Sequence, residues 1–237
     1  MPGLIEADDD GLYVVKFRGA GQGEKALVAE LICAGIAQSI GLAVPDVVLV
    51  DLDPELARAE PDPEVQELIR ASAGVNFGID FLPGSLTFDP AADGPVDPSL
   101  AASVVWFDAL VLNVDRTPRN PNLLVWHGRL RPIDHGAALY FHHGSWEPAA
   151  AAVRAFPVIR DHVLLEAAGP IDSVDAELAA KLGRAELETI VGAVPDGWLG
   201  DDPTAARSRY VEFLAERLAE PRGFVAEAEA ARREVAA

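Results

Sequence analysis

Cysteine is almost missing from this 237-residue chain: Cys33 is the only one. An internal disulfide is thereby excluded, and without a spaced Cys/His partner set a zinc site is not expected. Cys33 sits in an apolar run and reads as a small buried hydrophobe in a reducing, cytoplasmic setting. Lysine is scarce as well, with only Lys16, Lys25 and Lys181. Bases number 19 against 38 acids, a formal net charge of -19. Such a surface repels nucleic-acid backbones and anionic membranes, so neither is expected as a direct partner. It serves solubility, and a basic partner is the sharper alternative. Aromatics are only 7% of residues, which favours helices over an all-β design. No long, pure apolar run is present. The stretch 26–44 contains Glu30, Gln38 and Gly41, and 99–114 contains Asp108, so both read as core helices. Acidic residues from Glu6 to Asp10 stand where a signal peptide would be apolar. Neither a G-x-S-x-G nor an H-E-x-x-H pattern occurs.

Half of the residues are hydrophobic, enough for one large domain or two packed lobes. The β-branched and aromatic run 12–17 predicts a strand, followed by a glycine-rich loop at 18–23. A helix is expected over 24–40, with Val28, Ile32, Ile36 and Ile40 on its buried stripe and Glu30 on another side. Gly41 ends it. Strands are predicted at 47–50 and 75–82, separated by a Pro-containing acidic loop at 51–63 and a short helix at 64–71. The Pro/Asp/Gly-rich stretch 88–98 reads as a connection between lobes. Beyond it come a buried helix at 100–112, short strands at 123–126 and 130–133, and helices at 176–181, 185–194, 204–219 and 226–236. The fold class is α+β, with a small strand-rich lobe over 1–87 and a mostly helical lobe over 99–237.

The chemistry concentrates in Asn113-Val114-Asp115-Arg116-Thr117-Pro118-Arg119-Asn120-Pro121-Asn122 and, one hairpin later, Ile133-Asp134-His135-Gly136. An acid, an amide five residues on and a second acid form the set that phosphoryl transfer from ATP needs. Asp115 is the expected base or hydroxyl-orienting group, with Asn120 and Asp134 as oxygen ligands to Mg²⁺. Turn formation alone is the competing explanation for these residue types. Lys16, ending a strand before the glycine loop, can reach nucleotide phosphates, and Glu30 can pair with it. Gly19, Gly21 and Gly23 let the backbone approach phosphate oxygens. The loop lacks the Lys-Ser/Thr of a P-loop and is one residue short of a dinucleotide-binding loop. Arg116 and Arg119 can neutralise phosphate or pair with Asp108 or another acid. His135 is expected to pack or hydrogen-bond locally, and His142-His143 beside Trp146 is only superficially a metal tract.

In these motifs the chain resembles the HipA-like kinase family of the protein-kinase-like superfamily. Val14-Val15-Lys16-Phe17, the loop from Gly19 to Gly23, Glu30, the 41–45 segment, Phe77-Gly78-Ile79-Asp80-Phe81 and both catalytic-looking motifs run in the family's order. Asp115-Arg116 and Ile-Asp-x-Gly also resemble type II phosphatidylinositol 4-kinases. The resemblance implies a bilobed kinase fold with ATP in the cleft and adenine against the linker near Phe81 and Leu82. It implies an acceptor expected to be a protein, and leaves room for a partner encoded by a neighbouring gene. HipA toxins are switched off by phosphorylation of a serine in the phosphate loop; 18–25 here holds no Ser or Thr. A small-molecule or lipid kinase, and a nucleotide-binding module without turnover, are the competing functions.

Overall fold

The computed structural model describes residues 2–21 and 23–235. Gln22 of the glycine loop and Ala236 of the expected terminal helix lie outside the described residues.

β2 (Leu12–Lys16) pairs antiparallel with β1 (Pro2–Glu6) on one side and with β4 (Gly74–Asp80) on the other; β3 (Val47–Leu52) closes the sheet in the order β1-β2-β4-β3. β1 was not anticipated. Its signal was Asp10-Gly11, a hairpin dipeptide ahead of β2, with Asp10 at φ 63°. Alternation divides the sheet into two faces. Val15 and Phe17 pack with Leu52, Leu68 and Ile69 under α2 (Pro63–Ala71). The opposite face carries Lys16 and Phe77, in register with each other, and it meets α1 (Glu24–Ile40) through Phe77 and Ile79.

Four Asp-Pro pairs start helical turns. Asp62 and Asp97 accept backbone N–H bonds at 2.8 and 2.9 Å to cap α2 and α3 (Pro98–Val111), and Asp202 caps α7 (Pro203–Leu218) at 2.9 Å. The fourth, Asp53, caps the 3-10 turn Pro54–Arg58. Proline at the first helical position lacks only an N–H that would be unpaired there. The expected loop at 51–63 is therefore partly strand and 3-10 helix.

The chain leaves the first sheet at 81–85. Phe81 N–H donates to Leu12 O at 2.9 Å, and the Trp126 indole donates to Pro83 O at 3.0 Å. β5 (Leu86–Thr87), which falls inside 1–87, pairs with β6 (Leu123–Trp126), and β6 pairs with β7 (Arg129–Pro132). Asp97-Pro98 ends the 88–98 segment by starting α3. Against α3, whose buried face includes Trp106 and Phe107, pack α5 (Asp172–Ala180), α7 and α8 (Gly223–Val235), while α4 (Pro148–Ala152) and α6 (Arg184–Gly192) pack on α7, and α6 also reaches α1. The architecture is α+β, a strand-rich lobe over a helical one, with one continuous core linking α1, α3 and α7.

Candidate active site

Lys16 emerges from β2 on the face that meets α1. Its ammonium bonds the Glu30 carboxylate and reaches Asp134 Oδ1 at 2.5 Å. Burial disfavours the ammonium, but Glu30 and then Asp134 outweigh it and hold the Lys16 pKa above the usual lysine value. The same balance acts on Glu30. Burial would raise its pKa, yet Lys16 and the His135 contacts bring it down to about 2. Glu30 Oε2 also accepts the His135 N–H at 3.0 Å, so one helix acid joins β2 to the Asp134 segment. His135 is buried edge-to-face against Phe107, consistent with a local packing role.

Asp134 itself has φ 55°, a conformation an L-residue adopts at a cost of about 1 kcal/mol. The left-handed turn of this segment thus falls on Asp134 and not on Gly136. Gly136 does something else: a Cβ there would stand 3.0 Å from Glu30 Oε1. Its missing side chain lets α1 approach.

Asp115 follows α3, which ends in Leu112 at φ 56°. Asn113 accepts the Asp115 N–H at 3.2 Å and donates to Asp108 at 2.8 Å. Asn120 Nδ2 donates to Asp115 Oδ2 at 2.9 Å, and Asn122 Nδ2 donates to Asp115 O at 2.9 Å. Asn122 is a contact that motif spacing alone did not single out. Arg116 turns away from the cleft. It is buried against Asp108, whose other oxygen-side partners are Asn113 and His162, and its guanidinium also donates to Asn122 O at 2.5 Å and Ile133 O at 3.3 Å. Between phosphate and Asp108, the structure gives Arg116 to Asp108. Arg119 is exposed.

Lys16, Gly21, Gly23, Glu30, Asp115 and Asp134 line one cavity of about 250 Å³. Gly21 and Gly23 have φ 52° and 66°, a left-handed backbone that favours glycine. Gly19 is not with them. Its N–H donates to Ser72 Oγ at 3.1 Å, and an added Cβ would stand 2.8 Å from Ala71 Cβ, so it roots the loop against α2. Asn76, fully buried, accepts the Arg18 N–H at 2.8 Å and completes that root. Asn120 touches the cavity only through Asp115. Phe81 and Leu82 sit at the crossing between the sheets and line neither this cavity nor the apolar niche behind Lys16 formed by Val44, Val47, Phe77 and Ile79. Leu4, Val14 and Ile79 lie in one cross-strand row on the Lys16 face, and Leu4 is 57% exposed. A larger cavity, about 560 Å³ beside Trp146 and Tyr210, holds none of the expected residues.

Among the described residues no group of three or more His, Cys, Asp or Glu could hold a metal ion, and no helix is long and apolar enough to cross a membrane. No curated protein matches the chain. Its fold is similar to that of the crystal structure of a Helicobacter pylori proinflammatory kinase, CtkA, with a TM-score of 0.57 at 13% identity over 100% of this chain and 95% of that one. That likeness joins a sequence match: a family model described as HipA-like kinase covers residues 1–221, which take in both sheets, the cleft and α1 to α7. A cleft of this make-up inside a match of that length places the chain in the HipA-like kinase family.

Proposed function

We propose that this kinase moves the terminal phosphoryl group of ATP to a Ser or Thr hydroxyl of a protein, with Asp115 as base. The observation that carries the reading is convergence: Lys16, the positive-φ glycines, Asp115 and Asp134 come from four separate segments and line one cavity. Adenine would lie under Leu4, Val14 and Ile79. Phe81 N–H is already held by Leu12 O, which leaves the Leu82 N–H as the linker donor. Gly21 and Gly23 would let backbone approach the phosphates, and Lys16 would exchange Asp134 for a phosphate oxygen while keeping Glu30.

Asn120 Oδ1 and the Asp134 carboxylate are hard oxygen donors of the kind Mg²⁺ takes. Two protein ligands do not make a complete shell, so nucleotide phosphates and water would supply the rest. When bound, the cation supplies positive charge beside the terminal phosphates. The chain's own residues do the remainder. Asn120 and Asn122 hold the Asp115 carboxylate through Nδ2 donors, oriented towards the cavity. Asp115 takes the acceptor's proton as the acceptor oxygen bonds to phosphorus. The bond from phosphorus to the bridging oxygen breaks, and ADP leaves.

The test is incubation with γ-labelled ATP and Mg²⁺, alone and with cell lysate, beside Asp115→Ala. The expected result is label on protein, reduced ~10²–10⁴-fold in the variant without loss of fold. Transfer that survives the substitution removes Asp115 from the mechanism. Label on a small molecule or lipid identifies the other acceptor class, and nucleotide binding without turnover identifies a binding module.

A further inference from the structure

Two loops carry the proposed chemistry, 113–122 and 133–136, and neither is regular structure. Each includes a non-glycine residue in the left-handed region, Asn122 at φ 47° and Asp134 at φ 55°. Such residues persist only where surrounding contacts over-determine them. The contacts here converge on one side chain. Arg116 Nη1 donates to Asn122 O at 2.5 Å and to Ile133 O at 3.3 Å, and Ile133 N–H donates to the same Asn122 O at 3.0 Å. The Ile133 carbonyl belongs to the peptide plane that enters Asp134. Holding that plane limits the rotation that aims the Asp134 carboxylate.

Arg116 is itself fixed. Its Nε and Nη2 both face Asp108, the second at 3.3 Å to Oδ1, and its own carbonyl accepts the Val163 N–H at 3.0 Å. Asp108 is held in turn by His162 Nε2 at 2.9 Å and by Asn113 Nδ2 at 2.8 Å. His162 Nδ1 accepts the Leu164 N–H at 3.0 Å, so the proton lies on Nε2 and His162 donates to Asp108. Both side chains of the Arg116–Asp108 pair are fully buried.

We infer that Arg116 is the positioning residue that couples the two loops: its planar fork, anchored on Asp108, sets Asp115 and Asp134 for the reaction from behind the cleft. This rests on the proposed roles of those two acids. A lysine cannot substitute, because an ammonium offers no fixed fork able to hold a carboxylate and two carbonyls together.

The experiment compares wild type, Arg116→Lys and Asp115→Ala by steady-state kinetics, at a temperature where circular dichroism shows each one folded. A Mg²⁺ titration of the thermal shift given by a non-hydrolysable ATP analogue runs beside it. Positioning predicts that Arg116→Lys lowers kcat ~10–100-fold with the KM for ATP little changed, and raises the half-saturating Mg²⁺ concentration ~10-fold in both assays. A purely structural ion pair would lower the unfolding midpoint alone. Unchanged kcat and Mg²⁺ dependence in folded Arg116→Lys overturns the inference. Should that variant not fold, Asp108→Asn keeps the shape and the arginine while removing the anchor's charge, and the same readouts decide. Wild-type rates in Asp115→Ala would instead defeat the proposed function. Loss in Asp115→Ala with none in the other variants defeats only the coupling role.

Discussion

Glu30 and Asp108 are both sealed from solvent beside a cation, yet their surroundings differ. Glu30 faces Lys16, whose side chain is 23% exposed and which shares itself with Asp134, 48% exposed. That pair opens onto the cavity. Asp108 faces Arg116 with neither side chain exposed, and His162 and Asn113 complete its shell. On the proposed reading Lys16 meets an incoming phosphate, and such a cation needs one partner it can keep and one it can release. An anchor for loop backbone needs only partners that it keeps. Lysine, a mobile point charge, stands at the first place, and arginine, a rigid fork, at the second.

Removing each acid separates the two sites most sharply. Asp108→Ala leaves a dry guanidinium without its partner and should cost ~3–5 kcal/mol in urea unfolding. Glu30→Ala leaves Lys16 with Asp134 and an opening to water, so its cost should be ~1–3 kcal/mol, dominated by the unpaired His135 N–H. Equal losses would show that the opening at Lys16 gives no relief, and the contrast would fail.

Acid should distinguish regions rather than pairs. His142 is brought down to about 3 by burial, then by His143 and Lys25, and burial also lowers His162 despite Asp108. The unfolded chain takes up these protons near pH 6.5 and the folded chain only at lower pH. Stability therefore falls as pH drops below about 6.5, by up to ~1.4 kcal/mol per unit for each histidine. Glu30 acts later. Its depressed pKa gives stability that is whole above its unfolded value of 4.5 and is lost as pH falls through about 2. His142→Gln should flatten the upper part of the profile, and Glu30→Gln the lower part. Urea midpoints between pH 7 and 3 measure both. An unchanged slope above pH 5 in His142→Gln would remove that histidine from the account.

Much of the cleft was legible from side chains whose chemistry is local. The Lys16–Glu30 pair followed from a strand-end lysine and a helix acid off the apolar stripe. The five-residue interval singled out Asp115 and Asn120 as base and metal ligand, and the bond between them is what the structure adds. What escaped was set by distant packing. Asp97-Pro98 reads equally well as linker punctuation or as a helix start, and only burial of the face carrying Trp106 and Phe107 decides. Arg116 offered two partners, and the choice of Asp108 depends on α3 placing that acid beneath the loop. Gly19 and Gly23 look alike in sequence, yet one packs against Ala71 and the other faces the cavity, because α2 arrives from a segment more than forty residues away.

The glycines give the smallest and most local comparison. At Gly21 a Cβ meets nothing within 4 Å, so Gly21→Ala is opposed only by its φ of 52°. The cost should be ~1 kcal/mol, and the loop can relax to avoid part of it. At Gly136 no positive φ stands in the way, but the Cβ would press on Glu30 Oε1 at 3.0 Å and meet Ala26 at 3.6 Å. A carboxylate end can yield by a few tenths of an ångström, so the stability loss should again be ~1 kcal/mol. The consequences for function should diverge. Moving Glu30 moves the partner that Lys16 keeps, and Gly136→Ala should lower kcat more than Gly21→Ala, which acts on a loop tip and should raise the KM for ATP instead. The same parameter changing in both variants would mean that the cleft responds as one body, and the distinction between its fixed and releasable sides would not hold.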